Sequence, residues 1–376
     1  MAAQKWSFKI TPLRIILMLL AALAAVIAVY RLATGLSTVS NLNDNWPWGL
    51  WIGLDVLTGV ALAGGGYSAS LIIHILHVEK FKPLSRSAAL TSLIGYLLVV
   101  AALFLEIGRW YNFWVPFVSW GYHSTLFEVF MCISLYTLVQ IMEFSEILTE
   151  RVLTFLHKPI VKIMPVLLIL GTLLPFGHQA SLGGLYLLQV GRLHPLWWTP
   201  LLPWLFLMSS FFVGPAMITI ESSLSGRAFN HHIDKQILRS FIRISGYVMI
   251  AYLAIKIIDL IRLGAFGYIF EGSLESNMFL FEMIIGVIIP IIICFSPLSA
   301  TKKGLITFGV FTTAGVVLNR MNVVFTGMYK ALGSGYFPAW TEWAVSAGLI
   351  AGGILLYLFI VENFNILEYD KKYQTA

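Results

Sequence analysis

The chain has 376 residues, 59% of them hydrophobic and only 11% charged, with a formal net charge of +6 and a mean hydropathy of +0.85. A soluble globular domain carries about 25% charged residues, so the composition excludes a water-soluble enzyme and indicates an integral membrane protein. The basic excess collects in alternate loops, which makes it a topology signal and gives no reason to expect nucleic-acid binding.

A helix needs roughly 20 apolar residues to cross the hydrocarbon. Ten segments qualify: 14–36, 51–78, 87–108, 123–143, 159–178, 196–221, 240–262, 279–296, 303–320 and 341–361. Uninterrupted runs of this length argue against a β-barrel. The expected fold class is all-α integral membrane, with about ten transmembrane helices. In the first segment Lys5, Lys9 and Arg14 precede an apolar run containing Ala24-Ala25 and Ala28, as in a signal peptide. The run is long for a signal sequence and reads as an anchor helix.

With the N-terminus in the cytoplasm, the inner segments hold Lys5, Lys9, Arg14, Lys80, Lys82, Arg86, Arg151, Lys158, Lys162, Arg227, Lys235, Arg239, Arg243, Lys302, Lys303, Lys371 and Lys372, which is 17 of the 24 basic residues. The alternation holds at every loop, so both termini are expected to be cytoplasmic.

Segment 2 carries Asp55 one turn inside its start. It continues into Gly64-Gly65-Gly66 with Ala61, Ala63, Ser68 and Ala69, a small-residue face for close helix packing and no phosphate loop. Segment 3 closes on Glu106-Ile-Gly-Arg109 and segment 7 on Asp259-Leu-Ile-Arg262. An acid and an arginine at i, i+3 share one helix face, and ionisable groups at membrane depth are functional suspects by default.

Each of these helices is followed by one with Phe-Glu in its second turn, Phe127-Glu128 and Phe281-Glu282. Segments 2–5 and 6–9 therefore read as two tandem four-helix bundles in the same orientation. The expected division is 1–40 anchor helix, 41–180 first bundle, 181–335 second bundle, and 336–376 C-terminal helix and cytoplasmic tail.

The two cysteines, Cys132 and Cys294, lie far apart inside spans, too few for an iron–sulfur cluster or a structural zinc. His74 and His77 face the inner interface, and His231-His232 sit in a polar inner loop with no specific role expected. Aromatic residues crowd the outer ends: Trp46, Trp48, Trp51, Trp110, Tyr111, Trp114, Trp120, Tyr122, Trp197, Trp198, Tyr336, Trp340 and Trp343. An interfacial belt accounts for part of this, and a docking surface for an outer partner accounts for the imbalance between the two faces.

The first bundle's outer half has the richest polar set: Asp55, Glu106, Arg109, His123, Glu128, His178 and Gln179. A quinone wants hydrogen-bond donors at its two carbonyls, apolar walls around its ring, and two protons per reduction. His178 and Gln179 suit a carbonyl, while Asp55, Glu128 and His123 suit a proton relay. Along segment 4, Ser134, Tyr136, Thr137 and Gln140 form an expected half-wire from Glu128 to Glu143. Glu282, Asp259 and Lys256 make a second, proton-handling or merely structural, set. Two other classes stay open. A di-haem b-type cytochrome would use axial histidines such as His123 and His178, and a secondary transporter would show broken helices at matching positions.

The stretch Asn45-Trp-Pro-Trp-Gly-Leu-Trp-Ile-Gly-Leu-Asp55 with Gly64-Gly-Gly-Tyr67 resembles the opening of the NrfD/polysulphide-reductase family of membrane subunits, particularly its HybB-like branch. So do Gly177-His-Gln-Ala-Ser-Leu-Gly183, His194-Pro-Leu-Trp197 and Tyr336-Phe-Pro-Ala-Trp-Thr-Glu342. The resemblance runs over about residues 35–345. It implies a haem-free, quinone-reactive subunit in a prokaryotic cytoplasmic membrane, itself without iron–sulfur clusters, exchanging electrons between menaquinone and an outer-face, ferredoxin-like iron–sulfur partner. It places the quinone site in the first bundle near the outer face. The catalytic partner it implies is a [NiFe] hydrogenase or a multihaem or sulfur-metabolism redox module.

Overall fold

A computed structural model of the chain describes residues 6–230, 233–333 and 336–367; His231-His232 lie outside the described residues. Ten membrane-length helices run through it: α1 Pro12–Thr34, α2 Trp51–Ile75, α3 Glu79–Glu106, α4 Thr125–Arg151, α5 Thr154–Leu187, α6 Leu202–Ala228, α7 Lys235–Arg262, α8 Leu274–Phe295, α9 Lys302–Leu332 and α10 Trp340–Asn363. All ten expected segments are present, so this is a multi-pass, all-α membrane protein. The end carrying Trp51, Glu106 and Trp340 is called outer below, after the charge distribution.

Helix starts follow capping chemistry. Thr11, Ser124, Asp234, Ser273 and Thr301 each accept a hydrogen bond from a backbone N–H in the first turn of α1, α4, α7, α8 and α9. Helices α2 to α5 pack on one another, α6 to α9 do likewise, and α6 also packs against α2 and α5. Helix α1 lies against α10, and α10 against α3. The expected domain boundary at 180/181 falls inside α5, which continues to Leu187.

Helix α2 departs from the uninterrupted run expected of it. It breaks into two α-helical pieces at Ala63–Gly64 and carries π-helical stretches at both ends. The cause is its crossing with α6. A Cβ on Gly64 would stand 2.7 Å from the Ala61 carbonyl and 3.1 Å from the Ser210 carbonyl, and one on Gly214 of α6 would stand 2.9 Å from the Gly64 backbone. The Gly64 N–H turns to the Ala61 carbonyl, three residues back, at 3.0 Å, so the Val60 carbonyl loses its helical donor. In hydrocarbon an unpaired carbonyl costs several kcal/mol, and Gln179 Nε2 of α5 donates to it at 2.9 Å. Helix α6 is continuous across the matching region, so the break is not duplicated.

At the inner end α1 and the residues just before it are tied to the end of α10. Arg14 pairs with Glu362 at 2.5 Å, and Ser7 and Asn363 exchange two 2.8 Å bonds.

Candidate functional site

The outer end of α2 is held by acids from two other helices. Glu106 Oε1 accepts the Gly49 N–H at 2.7 Å, and Tyr336 Oη accepts the Leu50 N–H at 2.8 Å. Tyr336 donates in turn to Glu342, which also takes the Ala339 N–H at 2.8 Å as part of the α10 N-cap. Burial, then Glu342 beside it, keeps the Tyr336 hydroxyl well above the ordinary tyrosine range, so it stays protonated. A carboxylate at a helix N-terminus is favoured by the unpaired N–H groups and the helix dipole. Glu106 therefore fixes the start of α2. It makes no ion pair with Arg109, which lies three residues beyond the end of α3 and is exposed. The nearby cation is the fully buried Arg31, which donates to the Ile107 carbonyl at 2.5 Å.

One turn deeper, Asp55 Oδ2 accepts Ser346 Oγ of α10 at 2.5 Å. Asp55 lines a cavity of about 510 Å³ bounded by α2, α3, α6, α9 and α10, whose walls are otherwise mostly aliphatic. The cavity reaches Glu221 and Tyr357 in the inner half and Phe229 at the inner end of α6.

His178 and Gln179 lie away from this cavity, approaching α2 from α5. They sit about nine residues inside the outer end of α5, ~13 Å at 1.5 Å per residue, instead of ending the helix as expected. His178 Nε2 and Tyr96 Oη meet at 2.5 Å. Tyr96 packs edge-on against Tyr136, ring centroids 4.4 Å apart. Tyr136 Oη then accepts from Gln140 Nε2 at 2.8 Å, and the same amide nitrogen donates to Glu143 Oε2 at 3.0 Å. The inner part of the expected half-wire is thus a physical string, but its upper end leads to Tyr96 and His178. Glu128 and His123 are exposed at the outer start of α4 and join neither the string nor Asp55. The polar set of the first bundle's outer half is thus divided: Asp55 of α2 faces the cavity and Ser346 of α10, while His178 of α5 meets Tyr96 of α3 outside that cavity.

In the second half, Glu282 is buried and accepts from Trp197 Nε1 at 2.9 Å, Asn319 Nδ2 at 2.8 Å and Asn322 Nδ2 at 2.8 Å. Asn319 Oδ1 takes the buried Arg320 guanidinium at 2.6 Å, and Arg320 also donates to Ser209 Oγ at 2.6 Å while lying 3.6 Å over the Phe206 ring. Lys256 Nζ donates to the Leu196 carbonyl at 2.8 Å, and Asp259 pairs with Arg262 at 2.8 Å. Asn319 and Asn322 were not singled out from sequence. An amide-Arg-x-Asn stretch inside an apolar run is the signal that marks them.

Above this set an outer cavity of about 590 Å³ is lined by Arg192, His194, Tyr268 and Lys330. Partial burial holds His194 below the ordinary histidine range, against the pull of Glu275 and Glu271, so its ring is neutral at pH 7. Among the described residues no cluster of three or more His, Cys, Asp or Glu side chains is arranged to hold a metal ion.

The family model described as polysulphide reductase, NrfD, matches residues 38–331. A protein of Nitratidesulfovibrio vulgaris is 34% identical, covering 97% of each chain. The probable Ni/Fe-hydrogenase 2 b-type cytochrome subunit of Escherichia coli is 29% identical over 95% of this chain and 91% of its own. The integral membrane subunit of the menaquinone reductase of N. vulgaris is 27% identical over 88% and 85%.

Proposed function

Since the chain belongs to the NrfD polysulphide-reductase family, we propose that it is the quinone-reactive membrane subunit of a respiratory oxidoreductase complex, exchanging electrons between menaquinone and an outer-face iron–sulfur partner in a prokaryotic cytoplasmic membrane. The observation that carries this reading is the α2–α10 groove, an apolar slot whose outer end holds a carboxyl, Asp55, about one turn below the outer surface. Membrane-embedded sites for apolar ligands combine such walls with a few placed polar groups.

The quinone ring lies along the aliphatic walls, and Asp55 gives or takes the proton at the nearer oxygen. Ser346 orients that carboxyl. Glu106, Tyr336 and Glu342 hold the start of α2 and so set where Asp55 points. Gln179 keeps the broken α2 in register and His178 anchors Tyr96, so both act as positioning residues. The exposed His123, Arg109 and Glu128 belong with Trp114, Trp120, Tyr122 and Trp340 to the surface that meets the partner. Catalytic subunits of hydrogenase or menaquinone-reductase type, as in the named relatives, suit that surface. The haem-free reading is supported by His178 being engaged by Tyr96 and by His123 standing at the surface. Both termini are cytoplasmic in this assignment.

The test uses the complex in native membranes with menadione, a short-tailed naphthoquinone, as the probe. Asp55→Asn is expected to slow quinone turnover about 100-fold, the scale of a lost general acid–base group, with little change in thermal stability. Full turnover in that variant removes the site from the groove.

A further inference from the structure

The groove has a second polar end that the quinone reading leaves unused. Glu221 of α6 accepts Thr91 Oγ1 of α3 at 2.6 Å and Tyr357 Oη of α10 at 2.6 Å. Tyr357 Oη and Ser225 Oγ lie 2.8 Å apart. Glu221, Thr91, Ser225 and Tyr357 all line the same cavity as Asp55. Its other walls are mostly aliphatic and include Gly59, Gly95 and Gly353. None of the ion pairs among the described residues involves Glu221 or Asp55. Each carboxyl is held by hydroxyls alone, an arrangement that serves the protonated and the ionised form alike, because a hydroxyl both donates and accepts.

The spacing ties the two ends together. Ser346, which bonds Asp55, and Tyr357, which bonds Glu221, are eleven residues apart on α10, close to three full turns and therefore on one face. At 1.5 Å per residue that is ~16 Å. Glu221 is in turn seven residues, ~10 Å, from the inner end of α6, and Leu224, Ala228 and Phe229 continue the groove to that rim. Nearly the whole membrane thickness is thus covered by one cavity with a carboxyl near each end. The Glu143 string differs: its upper end is the fully buried His178, which lies outside this cavity.

We propose that Glu221 is the proton-loading group of this groove, taking protons from the inner aqueous side and passing them through water in the groove to Asp55. The inference rests on the quinone reading. In the reducing direction the quinone accepts two electrons from the iron–sulfur partner, and an O–H bond forms at each carbonyl oxygen. The Asp55 O–H bond breaks as its proton leaves, and Asp55 is reprotonated along the groove. Glu221 loses its proton to that water chain and regains one from the inner side. Two such cycles balance one quinol.

The experiment takes the assembled complex in native membranes and asks three things of Glu221→Gln, with Tyr357→Phe and Thr91→Val as milder variants. Dicyclohexylcarbodiimide, which modifies protonated carboxyls in apolar surroundings, is expected to label Glu221 in the unmodified chain, mapped by peptide mass, and not in Glu221→Gln. Menadione turnover is expected to fall at least tenfold in Glu221→Gln and about threefold in each hydroxyl variant, while menadione affinity stays within twofold. The solvent deuterium isotope effect on turnover is expected to rise in all three as proton delivery becomes limiting, a change that a purely structural role does not produce. Turnover within twofold of the unmodified protein in Glu221→Gln overturns the proposal, as does absence of label at Glu221, or loss of turnover with an unchanged isotope effect in the hydroxyl variants. If menadione does not bind the unmodified complex, or Asp55→Asn turns over normally, the quinone reading itself fails, which is a separate result.

Discussion

The ends of α3 and α7 carry the same acid-x-x-arginine pattern and are wired in opposite ways. On α7, Asp259 pairs with its own Arg262, and the buried acid of the next helix, Glu282, is locked by three N–H donors with Arg320 behind them. On α3, Arg109 turns to the surface and Glu106 reaches across to cap α2, while Asp55 and Glu221 rest on hydroxyls beside open space. A carboxylate fixed by cations and amides has its charge settled. One held by hydroxyls is free to change protonation. The difference separates two kinds of acid: Asp55 of α2 and Glu221 of α6, to which the proposed chemistry is assigned, lack nitrogen partners, whereas Glu282 and Asp259 act as internal braces.

Substitutions test that division, the largest effect first. Glu282→Ala leaves the buried Trp197, Asn319 and Asn322 N–H donors without their acceptor, at about 1–3 kcal/mol for each group left unsatisfied. The expected outcome is a large fall in melting temperature and yield, read by thermal unfolding in detergent. If Glu282→Ala is stable and only activity is lost, the brace reading is wrong. Asp55→Asn is expected to do the reverse, with a large fall in turnover and a melting temperature close to the unmodified value. Gln179→Leu strips the donor from the Val60 carbonyl and should cost about 1–3 kcal/mol, seen as a lower melting temperature and as faster amide exchange around residues 60–64. The smallest effect separates the two arginines. Arg109→Ala is expected to change stability by less than about 0.5 kcal/mol. Arg262→Ala, which uncovers the buried Asp259, should cost more, and equal effects would erase the asymmetry.

Much of the architecture was legible from apolar run length and loop charge, because bilayer thickness fixes the first and insertion the second. All ten helices follow from these signals. What the sequence withheld was direction around each helix. In lipid a wholly apolar helix shows no hydrophobic side, so nothing local reveals that Glu128 faces outward while Glu143, fifteen residues later, faces inward. Depth misled in the same manner at His178, because α5 runs nine residues past it through Leu182, Leu185 and Tyr186. The break in α2 was hidden because a glycine triplet reads equally as a packing face and as a hinge. Only the crossing with Gly214 decides between them.

That break also bears on biogenesis. Helix α2 is markedly less apolar than α1, with mean hydropathy 1.6 against 2.6, and it breaks, leaving the Val60 carbonyl without a helical donor, only where α6 crosses it. Its remedy, Gln179, emerges more than a hundred residues later, and its crossing partner Gly214 later still. Gln179 is therefore already in place on α5 when the crossing that breaks α2 forms. A chain truncated after α5 would hold that donor without the crossing that calls for it.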